Sequence, residues 1–339
     1  MKAFIVDRYG KNEQVRAGEV PVPQVSERDV LVRVLASGVN PLDGKIKDGE
    51  FKIPLPYKTP FVLGNDVAGV VEQVGANVTR FAVGDAVYAR PDKDRIGTFA
   101  EFIAVSENDL AVKPAGLSMA EAASLPLVAL TAWQVLVEKA DVQPGQKVLI
   151  HAGSGGVGTI AIQLAKHLRA YVATTASGSN IDLVRELGAD DVVDYRTQRF
   201  EQVLSGYDLV LDPLGPDSVR KSLTVLRKGG LVIGLGGPPD PAFATYLGKP
   251  LLRPVLALVS GKVRRAAKKL GVRYSFLFMR ANGEQLGEIT GLVDAGIIRP
   301  VVDRTFAFAD TPAALEYVDS GRAAGKVVVI MPESLPPAH

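Results

Sequence analysis

The sequence predicts an α/β protein of two domains, an irregular β barrel with a doubly wound parallel sheet inserted into it. Three observations lead there. The stretch His151-Ala-Gly-Ser-Gly-Gly-Val-Gly158 follows the short apolar run Lys147-Val-Leu-Ile150. It precedes apolar residues at helical spacing (Val157, Ile160, Ala161, Leu164, Ala165, Leu168), so the segment reads as a buried strand, a glycine turn and a helix start. Strand and helix signals then alternate, the rhythm of a parallel sheet covered by helices. The first third of the chain instead carries short alternating runs broken by Gly and Pro, and the tail ends on a further strand, Lys326–Ile330, able to close the first domain around the second.

In chain order, the barrel signals are Val30–Leu35, Val67–Val74, Asp85–Tyr88 and Phe99–Val105, separated by turn residues such as Gly75, Asn77 and Gly84. Ser118 and Glu121 form a capping-box pattern ahead of the apolar run Ala122–Val137, expected as a helix. Lys147–His151, Ala170–Thr175, Asp191–Tyr195, Tyr207–Asp212 and Gly230–Leu235 read as buried strands, with Ile181–Leu187 a helix ended by Gly188. Tyr274–Met279 reads as one more strand, and Gly283–Ala295 and Pro312–Ser320 as helices. The expected domains are 1–120 with 281–339 for the barrel and 121–280 for the sheet, with ligands in a cleft between them.

Composition narrows the function. The 339 residues are 47% hydrophobic and 22% charged, ordinary for a globular chain with a large core. A formal net charge of +2 gives no general attraction to nucleic acid. The absence of cysteine excludes disulfides, cysteine-held clusters and thiol nucleophiles. Met1–Asp7 is too brief and too soon charged for a signal peptide, and no uninterrupted apolar run spans a bilayer, so the expected location is the cytoplasm. The segment 249–273 stands apart, with Arg253, Lys262, Arg264, Arg265, Lys268, Lys269 and Arg273 among apolar residues. It reads as a helical lid, as an attachment to anionic lipid or another acidic partner, or as a solvated hairpin with a charged face.

Gly153, Gly155 and Gly158 fit the Gly-x-Gly-x-x-Gly spacing of a dinucleotide site, with Ser154, Gly156 and Val157 completing the turn. The first glycine permits the tight turn, the second lets backbone approach a pyrophosphate, and the third lets helix pack on strand. The helix N-terminus offers free N–H groups to the phosphates. An NAD site places an acid on the ribose about 20 residues further on. The matching strand end, Val172–Gly178, has none, and the first acid is Asp182, which favours NADPH. Ser177 and Ser179 read as donors to a 2′-phosphate or as ordinary turn residues, and Arg196 as a cation for it. Asp212-Pro-Leu-Gly215 and Gly234-Leu235-Gly236-Gly237 end parallel strands at the edge where ligands bind, and Phe278 and Met279 can present backbone groups to the carboxamide.

These residues resemble the medium-chain dehydrogenase/reductase superfamily over nearly the whole chain. The resemblance is carried by Gly38-Val-Asn-Pro-Leu-Asp43, Gly64-Asn-Asp-Val-Ala-Gly69, Gly84-Asp85, Leu130-Thr-Ala-Trp133, the glycine turn, Gly188-Ala-Asp190, Asp194-Tyr195 and Gly325-Lys-Val327. Within it the chain is similar to the zinc-free quinone oxidoreductase group, and most to the plant enone and alkenal reductases, which share Asn40-Pro-x-Asp43 with Lys45 and Gly49-x-Phe51-Lys52. The resemblance implies a GroES-like barrel, a Rossmann domain, NADPH as cofactor and a homodimer joined through the cofactor domains. Superfamily alcohol dehydrogenases hold zinc with a Cys and a Gly-His-Glu motif. Here the segment Ser37–Asn40 and Gly64-Asn65-Asp66 stand at those places, and His151, His167 and His339 lie with no ligand cluster, so no metal is expected. Without a Lewis acid, quinones and conjugated enones are better acceptors than simple carbonyls.

The resemblance also implies the site. Asn40 and Lys45 fall in the loop that carries the Cys ligand in zinc relatives, facing the nicotinamide. Each is a candidate donor to the charge that builds on the acceptor's oxygen. Their alternatives are a turn-stabilising Asn before Pro41 and a solvated lysine. Asp43 is expected to brace that loop rather than act as a base. Tyr57 either reaches the cleft or packs among Pro54, Pro56 and Pro60. Thr131 is expected near the nicotinamide, Tyr195 over the 2′-phosphate pocket and Lys326 towards the cofactor, while Asn180 stands where many quinone reductases carry Lys. The reading is an NADPH-dependent oxidoreductase of quinones or α,β-unsaturated carbonyls. An enoyl-thioester reductase and a non-catalytic NADPH-binding protein remain as alternatives.

Overall fold

Alternation of buried and half-buried residues in the first third produces antiparallel sheets. The computed structural model describes residues 1–332. β1 (Lys2–Val6) pairs antiparallel with β2 (Arg16–Glu19) and, on its other side, with β4 (Phe61–Val62). Between them in sequence lie β3 (Asp29–Val39) and the helix α1 (Pro41–Asp48). β3 is buried on both faces, and it pairs antiparallel with β5 (Val67–Val74) and β7 (Phe102–Ser106). β6 (Ala86–Ala89) joins β5 to β8 (Leu110–Val112). Val30, Val32, Val34, Val67, Val71, Val87 and Ile103 fill the core of this unit.

The expected helix over 122–137 is broken. The Ser118 cap forms, with Ser118 N–H donating to Glu121 at 2.8 Å, but it opens the short α2 (Met119–Ala123). α3 (Pro126–Trp133) starts afresh and runs into a π-helical segment, Gln134–Lys139. Pro126 has no N–H to carry the earlier helix onward.

The middle of the chain builds a six-stranded parallel sheet. Its strands are β9 (Lys147–Ile150), β10 (Tyr171–Ala176), β11 (Asp191–Asp194), β12 (Tyr207–Asp212), β13 (Leu226–Gly234) and β14 (Arg273–Phe276), in the order β11-β10-β9-β12-β13-β14. The order reverses between β9 and β12, the point where such sheets bind ligands. The connections carry α4 (Gly156–His167), α5 (Ile181–Glu186), α6 (Phe200–Val203), α7 (Pro216–Ser222), α8 (Pro241–Tyr246), α9 (Arg253–Val259) and α10 (Gly261–Leu270). The last strand stops at Phe276 rather than Met279, after which Leu277 N–H still bonds Gly234.

The tail returns through α11 (Gly283–Asp294), β15 (Val302–Ala307) and α12 (Thr311–Asp319) to β16 (Lys326–Ile330). β16 lies antiparallel to Ala36–Val39 of β3, so the last strand closes the first unit as expected. The chain divides into two units, residues 1–130 with the tail from Arg280, and residues 131–279. The first division thus falls ten residues or so beyond the sequence boundary of 120, because α2 packs on β3 and β5 and the Leu127 N–H is taken by Asp66 at 2.7 Å. Buried Tyr88 of β6 donates to the Leu286 carbonyl at 2.8 Å and lies 2.9 Å from Thr290 Oγ1, tying α11 to the barrel. Tyr88→Phe should therefore cost about 1–1.5 kcal/mol, read as a lower denaturation midpoint at unchanged slope.

Candidate functional site

The glycine turn sits at the strand-order reversal, directly after β9. A Cβ added at Gly153 would stand 2.0 Å from Thr174 Oγ1, and one at Gly158 would stand 2.3 Å from the Ala152 carbonyl and 2.6 Å from Gly153 Cα. Neither position admits a side chain. Gly155, which precedes the first turn of the twelve-residue α4, would meet only the Ala152 carbonyl at 3.3 Å, so its outer side is open to a group approaching the helix N-terminus. These contacts fit a dinucleotide pyrophosphate.

A hydrogen-bond chain holds the turn. Ala152, in the left-handed region at φ 53°, donates its N–H to Thr175 Oγ1 at 3.1 Å. Thr175 Oγ1 lies 3.1 Å from His151 Nδ1, and His151 Nε2 lies 3.0 Å from Ser222 Oγ. Ser222 donates to Asp212 Oδ2 at 2.8 Å, and Leu214 N–H donates to Asp212 Oδ1 at 2.9 Å. Since Ser222 gives its proton to Asp212, it accepts from His151 Nε2–H, which leaves Nδ1 to accept from Thr175. Burial pushes the His151 pKa down and fixes the neutral ring. The chain joins the loop after β9 to the loop after β12. Asp212, expected at the cofactor, is fully buried and turned inward to this chain; His151 and Ser222 are the residues that sequence reasoning missed.

Near the expected 2′-phosphate corner, the Ser177 and Ser179 hydroxyls are 3.1 Å apart, and Asn180 donates to Ser154 Oγ at 3.1 Å. Tyr195 and Arg196 are exposed. One acid does approach this corner, from β11 rather than from the end of β10. Asp194 accepts the Arg196 N–H at 3.0 Å, and its Oδ2 would lie 3.0 Å from a Cβ added at Gly178. No fixed offset from the glycine turn marks it in the sequence. At the other end of the sheet, Leu235 N–H bonds the Asp212 carbonyl and Gly236 lies partly buried beside it. The Met279 carbonyl already accepts from Tyr246 at 3.3 Å, and Phe278 packs against Phe243 and Tyr246. Thr131 is buried within α3.

The barrel unit brings the two segments at zinc-ligand places together. Ser37 donates to the Asp66 carbonyl at 2.7 Å, and Asn40 Nδ2 donates to Asp66 Oδ2 at 2.9 Å. Lys326 Nζ enters the same cluster, donating to Asn40 Oδ1 at 2.5 Å, the Val39 carbonyl at 3.0 Å and Asp66 Oδ2 at 3.2 Å. Asp43 accepts from Asn40 N–H and from Asn65 Nδ2, each at 2.7 Å, and burial pushes its pKa up to about 7 against those two hydrogen bonds. Arg90 is buried beside them, donating to the Pro91 carbonyl at 2.8 Å and reaching Asn65 Oδ1 at 3.5 Å. Among the described residues, no three His, Asp or Glu side chains converge as a metal site.

Several expectations change here. Asn40 and Lys45 are not on a loop: Asn40 precedes α1, and Lys45 lies on it, because Pro41 at its start and Asp43 in its first turn favour a helix there. Asn40 is 1% exposed with both ends of its amide engaged, so it positions neighbours rather than offering a free donor. Lys326 is turned into the barrel cluster rather than free for a cofactor. Tyr57 donates to the Lys93 carbonyl at 2.6 Å and packs on Phe61, the packed alternative. Asp43, expected to brace a loop, stands in the first turn of α1 and accepts the Asn40 N–H there. Lys45 is exposed, with no partner among the described residues. Exposed His167 ends α4, and His339 lies outside the described residues.

Two outcomes follow. Lys326→Met leaves the buried Asp66 without its cation and should cost about 3–5 kcal/mol in chemical denaturation. Between about pH 4 and pH 7 the native Asp43 holds a proton that the unfolded chain has released, so stability falls as pH rises through this window and levels off above it. The wild-type minus Asp43→Asn difference in denaturation free energy should show that slope.

Comparisons with known proteins agree with this geometry. Residues 26–115 match the alcohol dehydrogenase GroES-like domain, and residues 187–329 match the zinc-binding dehydrogenase family. The mitochondrial NAD(P)H oxidoreductase RTN4IP1 of Danio rerio is 36% identical, with 98% of this chain and 92% of the relative covered. The chloroplastic NADPH-dependent alkenal/one oxidoreductase of Arabidopsis thaliana is 35% identical over 97% of this chain and 79% of its own. The solved quinone oxidoreductase of Coxiella burnetii superposes with a TM-score of 0.85 at 30% identity, covering 97% of this chain and 99% of that one. With a glycine turn on a Rossmann sheet, a GroES-like barrel and relatives of this kind along its length, the chain belongs to the quinone oxidoreductase group of the medium-chain dehydrogenase/reductase superfamily.

Proposed function

We propose that the protein reduces quinones or the double bond of α,β-unsaturated carbonyl compounds with NADPH, and does so without zinc. It is an NADPH-dependent oxidoreductase, and the observation that carries the finer reading is the Lys326 ammonium lodged between Asn40 and Asp66, where zinc relatives keep their ligands. A cationic side chain already neutralises the carboxylate there, which disfavours a divalent metal and with it the polarisation of simple ketones. Bound NADPH supplies the hydride.

The chain's own residues bind and orient. Gly153, Gly155 and Gly158 shape the pyrophosphate cradle, and the His151–Ser222–Asp212 chain fixes it. Ser177, Ser179, Tyr195 and Arg196 are assigned to the 2′-phosphate. Lys45 is assigned as donor to the acceptor's oxygen: its ammonium has no partner among the described residues, on a helix whose first turn Asp43 braces. Water returns the proton that completes enone reduction.

Purified protein should oxidise NADPH with a naphthoquinone, a short enone or an alkenal, more slowly with NADH, and leave a saturated ketone untouched. Turnover of the ketone would sink the zinc-free reading, and NADPH binding with no turnover of any acceptor would sink the enzymatic one. Lys45→Ala should lower kcat about 10²-fold. Asp194→Asn should lower the KM for NADPH while leaving that for NADH little changed, since it removes a negative charge beside the phosphate corner.

A further inference from the structure

From Pro241 to Gly283 the chain carries nine basic residues and no acidic one, although it contains 39 basic and 37 acidic residues in all. The formal charge of +2 therefore conceals a cationic stretch set against a net negative remainder. Within that stretch Leu251, Val255, Leu258 and Val259 recur at i, i+4, i+7 and i+8, the spacing of one helix face. Such a face is ordinarily core. Here it is turned to solvent: Leu251 is 91% exposed, Leu258 82%, Val255 55% and Val259 49%, and α9 contributes no buried residue.

The next helix supplies the charge. α10 buries Val263 and Ala267 against the sheet unit and leaves Lys262, Arg264, Arg265, Lys268 and Lys269 outside. None of these five, nor Arg253, has an ion-pair partner among the described residues. Leu258, Arg264, Arg265 and Lys268 line one shallow groove between the two helices. An aliphatic ridge edged by unpaired cations is the pattern of a segment that lies in a membrane interface, with side chains entering the acyl boundary and cations over the headgroups. No helix among the described residues is long and apolar enough to cross a membrane, which leaves attachment from one side.

We propose that α9, the turn just before it and α10 dock this protein on an anionic lipid bilayer, Leu251, Val255 and Leu258 inserting while the α10 cations bind the headgroups. The charge selects this occupant. A second copy would bring two unpaired cationic faces together, which repels. An acidic protein would satisfy the cations but gives no reason for four aliphatic side chains to stand bare along 251–259.

The test is flotation of the full chain with phosphatidylcholine vesicles, with and without about one-third phosphatidylserine. Binding is expected only with the anionic vesicles. It should weaken on going from about 0.1 M to about 1 M salt, as the Debye length falls from ~10 Å to ~3 Å. The double substitution Leu251→Ser with Leu258→Ser should reduce partitioning about tenfold or more at unchanged charge, and Arg264→Glu with Lys268→Glu should reduce it independently. Retained NADPH binding and thermal midpoint in both variants would show that each still folds. Absence of flotation overturns the proposal. Binding that survives the leucine substitutions but not the charge reversals also overturns it, pointing to an acidic macromolecule. A solution dimer that the leucine substitutions dissociate overturns it too, assigning the face to a second copy.

Discussion

The barrel unit's polar cluster depends on one buried cation. Lys326 is 5% exposed, and its ammonium reaches Val39, Asn40 and Asp66. A charge taken out of water costs several kcal/mol unless every proton finds an acceptor, so this contact forms only if three segments far apart in sequence arrive together. The last strand, the end of β3 and the turn before β5 are thereby fixed at one point. Asp66 extends the junction, since its second oxygen accepts the Leu127 N–H near the start of α3. β16 is buried on both faces from Lys326 to Val329, so no alternation sets its register, and the ammonium supplies a polar demand that a slipped register would leave unmet.

The sheet unit reaches a comparable precision by other means. Its cradle rests on contacts too close for a Cβ, with the Thr174 side chain at Gly153 and with backbone at Gly158, and on a chain of hydrogen bonds in which each hydroxyl or ring proton has one direction to go. The only charge in that chain is Asp212, at its far end. A neutral His151 is what allows the order of donors to run from Thr175 to Asp212; a protonated ring would put a second donor against Thr175, which already accepts from Ala152. The left-handed Ala152 carries backbone strain that a glycine would not, and its N–H bond to Thr175 helps hold it there.

Much of this was legible in the sequence because it is local. The glycine spacing, the strand β5 and the strand β16 follow from periodicity and turn residues alone, and the two zinc-ligand places were visible as Ser37–Asn40 and Gly64–Asp66. What filled them was not. Lys326 lies 286 residues from Asn40, and nothing in its own neighbourhood directs it inward. His151 looked idle because its partners Thr175 and Ser222 come from other elements of the sheet unit. Arg90, buried and joined to Asn65, has the same character. α1 was missed because its eight residues carry too little periodicity to separate a helix from a loop, and the break at Pro126 was missed because the apolar run is continuous through it.

Cofactor choice illustrates the same limit at closer range. The acid that selects NAD stands about 20 residues past the glycine turn, and this chain has none there. Space nevertheless returns one, because the parallel pairing of Ala176 with Asp194 brings the ends of β10 and β11 together. Asp194 directs one oxygen at the Arg196 N–H, and the Arg196 side chain is exposed. On the proposed assignment, a phosphate there would gain the Arg196 cation and the one hydroxyl proton that the Ser177–Ser179 bond leaves over, and would bear the repulsion of one carboxylate that is partly occupied by backbone. A bare ribose hydroxyl gains little from the cation. On that assignment the balance favours the phosphate, but by a difference of opposing charges, so a single uncharged substitution at either Asp194 or Arg196 has leverage over it that none of the glycine positions possesses.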